Sequence, residues 1–226
     1  KAGLPSDKVH VVPNPVNIDV FKSVTDLEKS KKRILMGLNT NSHIITSIGA
    51  VTERKNIFTI VKAVFELKNK GFDINYMHIG PFNLSKEDEI YFEMIMSYIR
   101  NKNIQENITF VGETSSVENY LQISDVFVFV SKREGFGTAL VEAMACSLPV
   151  ISKRIYKITD YIILDANNGI IINHDKDLVS NIEMIIQDEN YSRFLGSNAR
   201  KTVEKRFDKN VVIRMYLELF ESLEKK

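Results

Sequence analysis

The chain has 226 residues, with 30 Lys and Arg against 29 Asp and Glu, 44% hydrophobic residues, 26% charged residues and a single cysteine, Cys146. The length suits one large domain, or one domain with a small appendage, and a formal net charge of +1 argues against bulk nucleic-acid binding, which needs a basic excess. A lone cysteine cannot close an internal disulfide and points to a reducing compartment; the opening residues lack a signal-peptide core, and no apolar run reaches the roughly 20 residues of a membrane span.

In chain order, residues 9–12 read as a first strand inside a linker that runs to residue 22. A polar, Lys-rich connection follows, with a helix expected over 26–38. Short β-branched runs at 43–50, 74–80, 108–112, 126–131, 149–152 and 169–173 read as strands, several of them apolar throughout, as parallel strands covered on both faces require. Helical patterns fill the gaps at 56–70, 85–102, 115–122, 137–147, 177–187, 190–206 and 208–225. In the first of these, Ile57, Ile60, Val61, Val64 and Leu67 fall on one face and Gly71 ends the helix. Strand–helix alternation predicts a doubly wound parallel sheet of Rossmann-like type with a helical tail. Ligands of such sheets bind at the carboxyl ends of the strands, where the strand order reverses.

The loop after residues 126–131 carries the chemistry. It reads Lys132-Arg133-Glu134-Gly135-Phe136-Gly137-Thr138 and runs into Ala139-Leu140-Val141-Glu142-Ala143-Met144-Ala145. Two glycines around one aromatic allow close backbone approach. The helix behind them opens with free N–H groups over residues 136–140, and its macrodipole favours an anion such as a diphosphate. Glu142 sits in a helix that is apolar on almost every side, on one stripe with Thr138 and Cys146. A carboxylate there needs partners, and the 2′- and 3′-hydroxyls of a ribose would supply two. The four histidines lack metal-ligand spacing. The Asp-x-Asp at 175–177 is read as a helix cap, and neither a dinucleotide fingerprint nor a Walker sequence occurs.

The segment 134–149, EGFGTALVEAMACSLP, resembles the hallmark of the retaining glycosyltransferases of family 4, which have the GT-B fold: two glutamates with seven residues between them, here Glu134 and Glu142, then a Pro-Val-Ile strand, here Pro149-Val150-Ile151. Further matches fall in order. Val12-Pro13-Asn14-Pro15-Val16-Asn17 resembles the family's linker, Ser47 to Asn56 its Gly-Arg-Leu…Glu-Lys-Gly segment, and Ile108 to Gly112 with Ser124-Asp125-Val126 its Phe-x-Gly…Ala-Asp-Val stretch. The resemblance implies the C-terminal, donor-binding half of a hexosyltransferase. In it Lys55 neutralises the donor diphosphate and the leaving phosphate, Glu134 holds the transferred sugar, and Glu142 binds ribose. The backbone at Gly135, Phe136, Gly137 and Thr138 cradles phosphate or sugar, and Val111 and Gly112 contact the base.

Three departures stand out. Ala50 occupies the place of an arginine that helps at the diphosphate, and Arg54 or Arg133 is expected to substitute. Ser147 replaces a glycine. Ser152 to Lys157 replaces a Gly-Gly loop, with Asp160 near its missing glutamate and Lys153 and Arg154 available to a phosphate. The resemblance further implies a UDP- or GDP-sugar donor, no obligatory metal or other cofactor, and no nucleic acid. It places a glycan or glycolipid acceptor mainly on an N-terminal domain that precedes the family's linker and is absent here. The expected division is therefore 1–22 linker, 23–207 nucleotide-sugar domain and 208–226 helix crossing back towards that domain. The expected setting is cytoplasmic, with the full-length protein able to lie on the inner membrane face, and the isolated domain binds donor without turnover. The alternative, favoured by Ala50, is a non-catalytic nucleotide-sugar-binding domain of the same fold.

Overall fold

The computed structural model describes residues 9–224. Six strands form one parallel sheet: β1 (His43–Ile48), β2 (Ile74–Ile79), β3 (Ile108–Gly112), β4 (Val126–Phe129), β5 (Val150–Lys153) and β6 (Ile170–Ile172). Their spatial order is β3-β2-β1-β4-β5-β6. The chain builds outwards from β1 to β3, returns to the middle, and builds outwards again on the other side. The order therefore reverses between β1 and β4, which are joined by the parallel register Ile45–Val126 and Thr46–Phe127.

Nine α-helices accompany the sheet among the described residues: α1 (Asp26–Leu35), α2 (Ile57–Asn69), α3 (Lys86–Asn101), α4 (Val117–Ile123), α5 (Thr138–Ala145), α6 (Thr159–Ile162), α7 (Leu178–Gln187), α8 (Glu189–Arg206) and α9 (Lys209–Glu224). Alternation along each strand divides the core in two. Ile45, Val126, Val128 and Ile151 pack with Ile60, Val64, Leu67, Ile95 and Ile182 of α2, α3 and α7. Phe127, Phe129 and Val150 pack with Leu140, Val141 and Met144 of α5 and with Ala199 and Val203 of α8.

Residues 9–12 form no strand. Val9 and Val11 are exposed, and the linker touches the domain further on, where the Val16 N–H donates to Phe207 O at 2.8 Å and Lys209 N–H donates to Val16 O at 3.0 Å. A β-branched run with no strand to pair with leaves its backbone to water. The first helix stops at Leu35, short of the expected Leu38, because Gly37 turns the chain at φ 71°. The strand expected to run to residue 131 ends at Phe129, although Val130 and Ser131 stay buried. The single-turn helix α6 was not expected.

A polar clamp fixes α1. Thr25 caps it through the backbone of Glu28, whose carboxylate accepts from Thr25 N–H in return. Asp125, just ahead of β4, accepts from Lys29 and Arg33 at 2.6 Å each and from the Ile44 N–H at 2.7 Å. Burial pushes its carboxyl up, but Lys29 and Arg33 outweigh that and hold it below the usual carboxylate range. Ser147, at the end of α5, takes φ 60°, a left-handed conformation that costs an L-residue with a side chain roughly 1–2 kcal/mol. Ser147→Gly is therefore expected to raise stability by about 0.5–1 kcal/mol, net of its looser unfolded chain, measured by urea unfolding.

Candidate functional site

The topology puts the loops after β1 and β4 side by side at the carboxyl edge, where doubly wound sheets bind ligands. After β1 the chain makes a 3-10 turn, Glu53–Lys55, and leaves it through Asn56 in the left-handed conformation. After β4 it passes over the same ground without regular structure, and Lys132 N–H donates to Arg54 O at 2.8 Å. That backbone bond locks the two loops together across 78 residues of sequence.

Two cations and one carboxylate meet there. Lys55 Nζ lies 2.7 Å from Glu134 Oε1, and Arg54 Nη1 lies 3.3 Å from Glu134 Oε2 and donates to Arg133 O at 2.9 Å. Lys55 and Glu134 are both largely covered, with side-chain exposures of 13% and 11%. Burial pushes the Glu134 carboxyl up. The Lys55 and Ser131 hydrogen bonds and the Lys55 and Arg54 charges outweigh it, leaving the group below its usual range and ionised. The Lys55 stem runs across Gly49, where an added Cβ would sit 2.7 Å from its Cε. Gly80 backs onto the same spot, since a Cβ there would sit 2.1 Å from Gly49 O. Both glycines hold φ near 140°, so this close approach excludes any side chain.

The Gly135–Thr138 loop leads from Glu134 into α5. Gly137 takes φ 102° and caps the helix, with its carbonyl accepting from Leu140 and Val141. The N–H of Leu140 is thereby used, which shortens the run of free N–H groups expected from the sequence. Those of residues 136–139 find no acceptor among the described residues. The Phe136 ring turns inwards onto Phe207, edge to face at 5.9 Å, so only its backbone is offered to a ligand. Thr138 is exposed and its hydroxyl accepts from Asn14 of the linker at 3.4 Å. Glu142, one turn on, is partly buried, which raises its carboxyl above the usual range, and no hydrogen bond reaches it among the described residues. Cys146 ends the same stripe in the core, its thiol pushed up by burial to about 12, and is an unreactive packing residue.

Other expected residues lie apart. Val111 and Gly112 end β3 on the same edge, two strands from β1. Arg133 contributes its carbonyl to Arg54. Lys153 and Arg154 are engaged elsewhere, Lys153 with Asp175 at 2.6 Å and Arg154 with Asp160 at 2.9 Å, which accounts for their charges without a phosphate. The Asp-x-Asp turn does cap, through Asp177 and the His174 N–H. It also does something the sequence hid: Asp175 accepts from Asn56 at 3.2 Å and Thr59 at 3.1 Å, bracing the residue next to Lys55. A cavity of about 430 Å³ lies at the other, amino edge of the sheet, lined by His43, Asp125, Cys146 and Pro149 among others. Its charges pair with one another, Lys29 with Asp125 and Arg193 with Asp26 and Glu189. The strand-order reversal and the convergent charges place the candidate site at the carboxyl edge instead.

A parallel sheet with one reversal of strand order, free N–H groups ahead of α5 and a cation pair at the carboxyl edge mark an α/β domain of doubly wound type. The sequence model of the glycosyl transferases group 1 matches residues 28–202, and the chain belongs to that family. It is similar to the capsular polysaccharide biosynthesis glycosyltransferase CapM of Staphylococcus aureus, 27% identical over 200 residues that cover 88% of this chain and 50% of the relative. Among solved structures, a glycosyltransferase from Rickettsia africae superposes with a TM-score of 0.87 at 23% identity, covering 99% of this chain and 59% of the other. HepE of Anabaena, in complex with UDP and glucose, superposes at 0.84 with 20% identity, covering 100% of this chain and 59% of its own. These two likenesses confirm the GT-B type of fold. The chain spans about half the length of the curated relatives it matches. Among the described residues no helix is long and apolar enough to cross a membrane.

Proposed function

We propose that this chain is the donor-binding half of a retaining hexosyltransferase that draws on a nucleoside diphosphate sugar. The observation carrying the reading is the meeting of Lys55, Arg54 and Glu134 at the β1–β4 reversal. The two cations take the diphosphate and the charge that grows on the leaving phosphate, the largest electrostatic demand of such a transfer. Glu134, freed from part of its ion pair, turns to the hydroxyls of the transferred sugar. Glu142 takes the ribose hydroxyls, the loop N–H groups the phosphate or sugar, and Val111 and Gly112 the base. Arg54 stands in for the arginine missing at position 50, which weighs against the non-catalytic alternative. With Lys55 and Arg54 supplying the positive charge, no metal is obligatory in this reading.

UDP or GDP is the proposed nucleotide; the UDP and glucose bound by HepE support the former. The proposed acceptor is a glycan or glycolipid. Part of the support is the similarity to CapM, a capsular polysaccharide biosynthesis glycosyltransferase. The relatives' doubled length is in keeping with a second domain that binds the acceptor, so the present chain is proposed to bind donor without turnover, and the whole protein to work at the inner membrane face. In the same proposal residues 1–22 serve as linker and 208–226 as a helix crossing to that domain. Val212 is the one buried residue of α9, whereas Ile213, Leu217, Phe220 and Leu223 stand exposed.

Thermal unfolding with UDP, GDP, ADP and their hexose conjugates tests the reading. A ligand at about 100 times its dissociation constant stabilises by roughly 2.7 kcal/mol, a midpoint rise of about 5–10 °C at this size. A rise with one base names the nucleotide, and a flat response to all of them would count against the site.

A further inference from the structure

β2 contains a residue that an apolar strand would not choose. His78 is fully buried, between Met77 and Ile79 and against Phe110. Its Nε2 lies 2.8 Å from Gly49 O, and its Nδ1 lies 2.9 Å from Ser47 Oγ and 3.2 Å from Tyr76 Oη, which are themselves 2.6 Å apart. A carbonyl only accepts, so Nε2 carries the proton and Nδ1 is left to accept from Ser47 or Tyr76. Burial first of all, with the nearby Lys55 charge, lowers the imidazole pKa to about 4 against the pull of Gly49 O, so the ring is neutral. Every polar atom of this buried group is thereby satisfied, and its single output is the bond to Gly49. That carbonyl belongs to the residue the Lys55 stem lies across, with Gly80 pressed on its other side.

We propose that His78 is a positioning residue: its Nε2–H holds the Gly49 peptide in the one orientation that lets Lys55 lie over it and reach the donor diphosphate. The inference rests on the functional reading above. Its reach is specific, because a displaced Gly49 moves the ammonium group that meets the diphosphate and leaves the Glu142 and Val111 ends of the site in place.

Two variants isolate the effect. His78→Met fills the volume, leaves Ser47 and Tyr76 paired with each other, and removes the bond to Gly49. His78→Gln restores an N–H at the Nε2 position. In the full-length protein, UDP and GDP are titrated against uridine and guanosine, and kcat is measured for the conjugate that binds. His78→Met is expected to weaken the diphosphate and lower kcat, each by about tenfold or more, as a misplacement near 1 Å does, with nucleoside binding unchanged. His78→Gln is expected to recover most of both. If wild type binds diphosphate no better than nucleoside, or Lys55→Ala changes nothing, the functional reading falls and this inference with it. If those controls behave and a folded His78→Met matches wild type, or His78→Gln is as impaired as His78→Met, the positioning role is overturned. Should His78→Met fail to fold, Ser47→Ala with Tyr76→Phe serves instead. That pair leaves Nε2–H on Gly49 and is expected to retain the diphosphate preference; loss of the preference overturns the proposal.

Discussion

Lys55→Ala is expected to lower kcat of the full-length protein by about 10²–10³-fold, the usual cost of removing one preorganised group from developing charge in a dry site. Three features raise this effect above that of an ordinary surface lysine. The ammonium is mostly covered, at 13% side-chain exposure; its stem is held over Gly49; and Glu134 at 2.7 Å keeps it aimed at the carboxyl edge. Arg54 is a weaker resource, 43% exposed and 3.3 Å from the same carboxylate, so its loss should cost less. Binding distinguishes a diphosphate role from general damage. Lys55→Ala should weaken UDP or GDP far more than the corresponding nucleoside, whereas Glu142→Ala should weaken both. Equal losses for nucleoside and diphosphate in Lys55→Ala would show that the ammonium does not meet the phosphates.

The largest stability loss is expected at Asp125. Replacing it by alanine strands Arg33, whose side chain is 6% exposed, and also removes the acceptor of the Ile44 N–H. Removing one partner of a buried pair costs about 3–5 kcal/mol, which lowers the midpoint by on the order of 10 °C. Arg33 keeps the carbonyls of Ile123, Thr40 and Ser42, so the lower end of that range is the closer expectation. The acid response follows in sign. Because the folded carboxyl titrates below the usual carboxylate range, its contribution is complete above that range and is lost as the pH falls through the folded value. Asp125→Ala should flatten the acid limb of the stability curve, and an unchanged limb would assign the clamp no net charge effect.

The sheet was legible because buried parallel strands write themselves as apolar runs. Residues 9–12 share that composition and failed, since composition does not reveal whether a pairing partner exists. Glu134 and Glu142 could be found from spacing and resemblance, and Lys55 from its place after Gly49. Their contact could not, because it spans 79 residues and depends on the crossover that puts β4 beside β1. His78 and Asp175 were both passed over: the histidine was judged by metal spacing and the aspartate as a cap. Their partners, Gly49 O and Asn56, are main-chain or turn groups that carry no sequence mark.

The seam between β1 and β4 has a kinetic meaning as well. β1, β2 and β3 are near neighbours in sequence, and so are β4, β5 and β6, but the sheet is joined across its two halves by the Ile45–Val126 and Thr46–Phe127 register, between strands far apart in the chain. Pairings between distant segments form slowly, because the long loop must close before any contact rewards it. The groups proposed to bind the diphosphate stand on opposite banks of that seam. A refolding chain would regain each half's secondary structure before it regained affinity for a nucleotide, and a native chain that opened along the seam would lose its ligand while both halves stayed protected from hydrogen exchange.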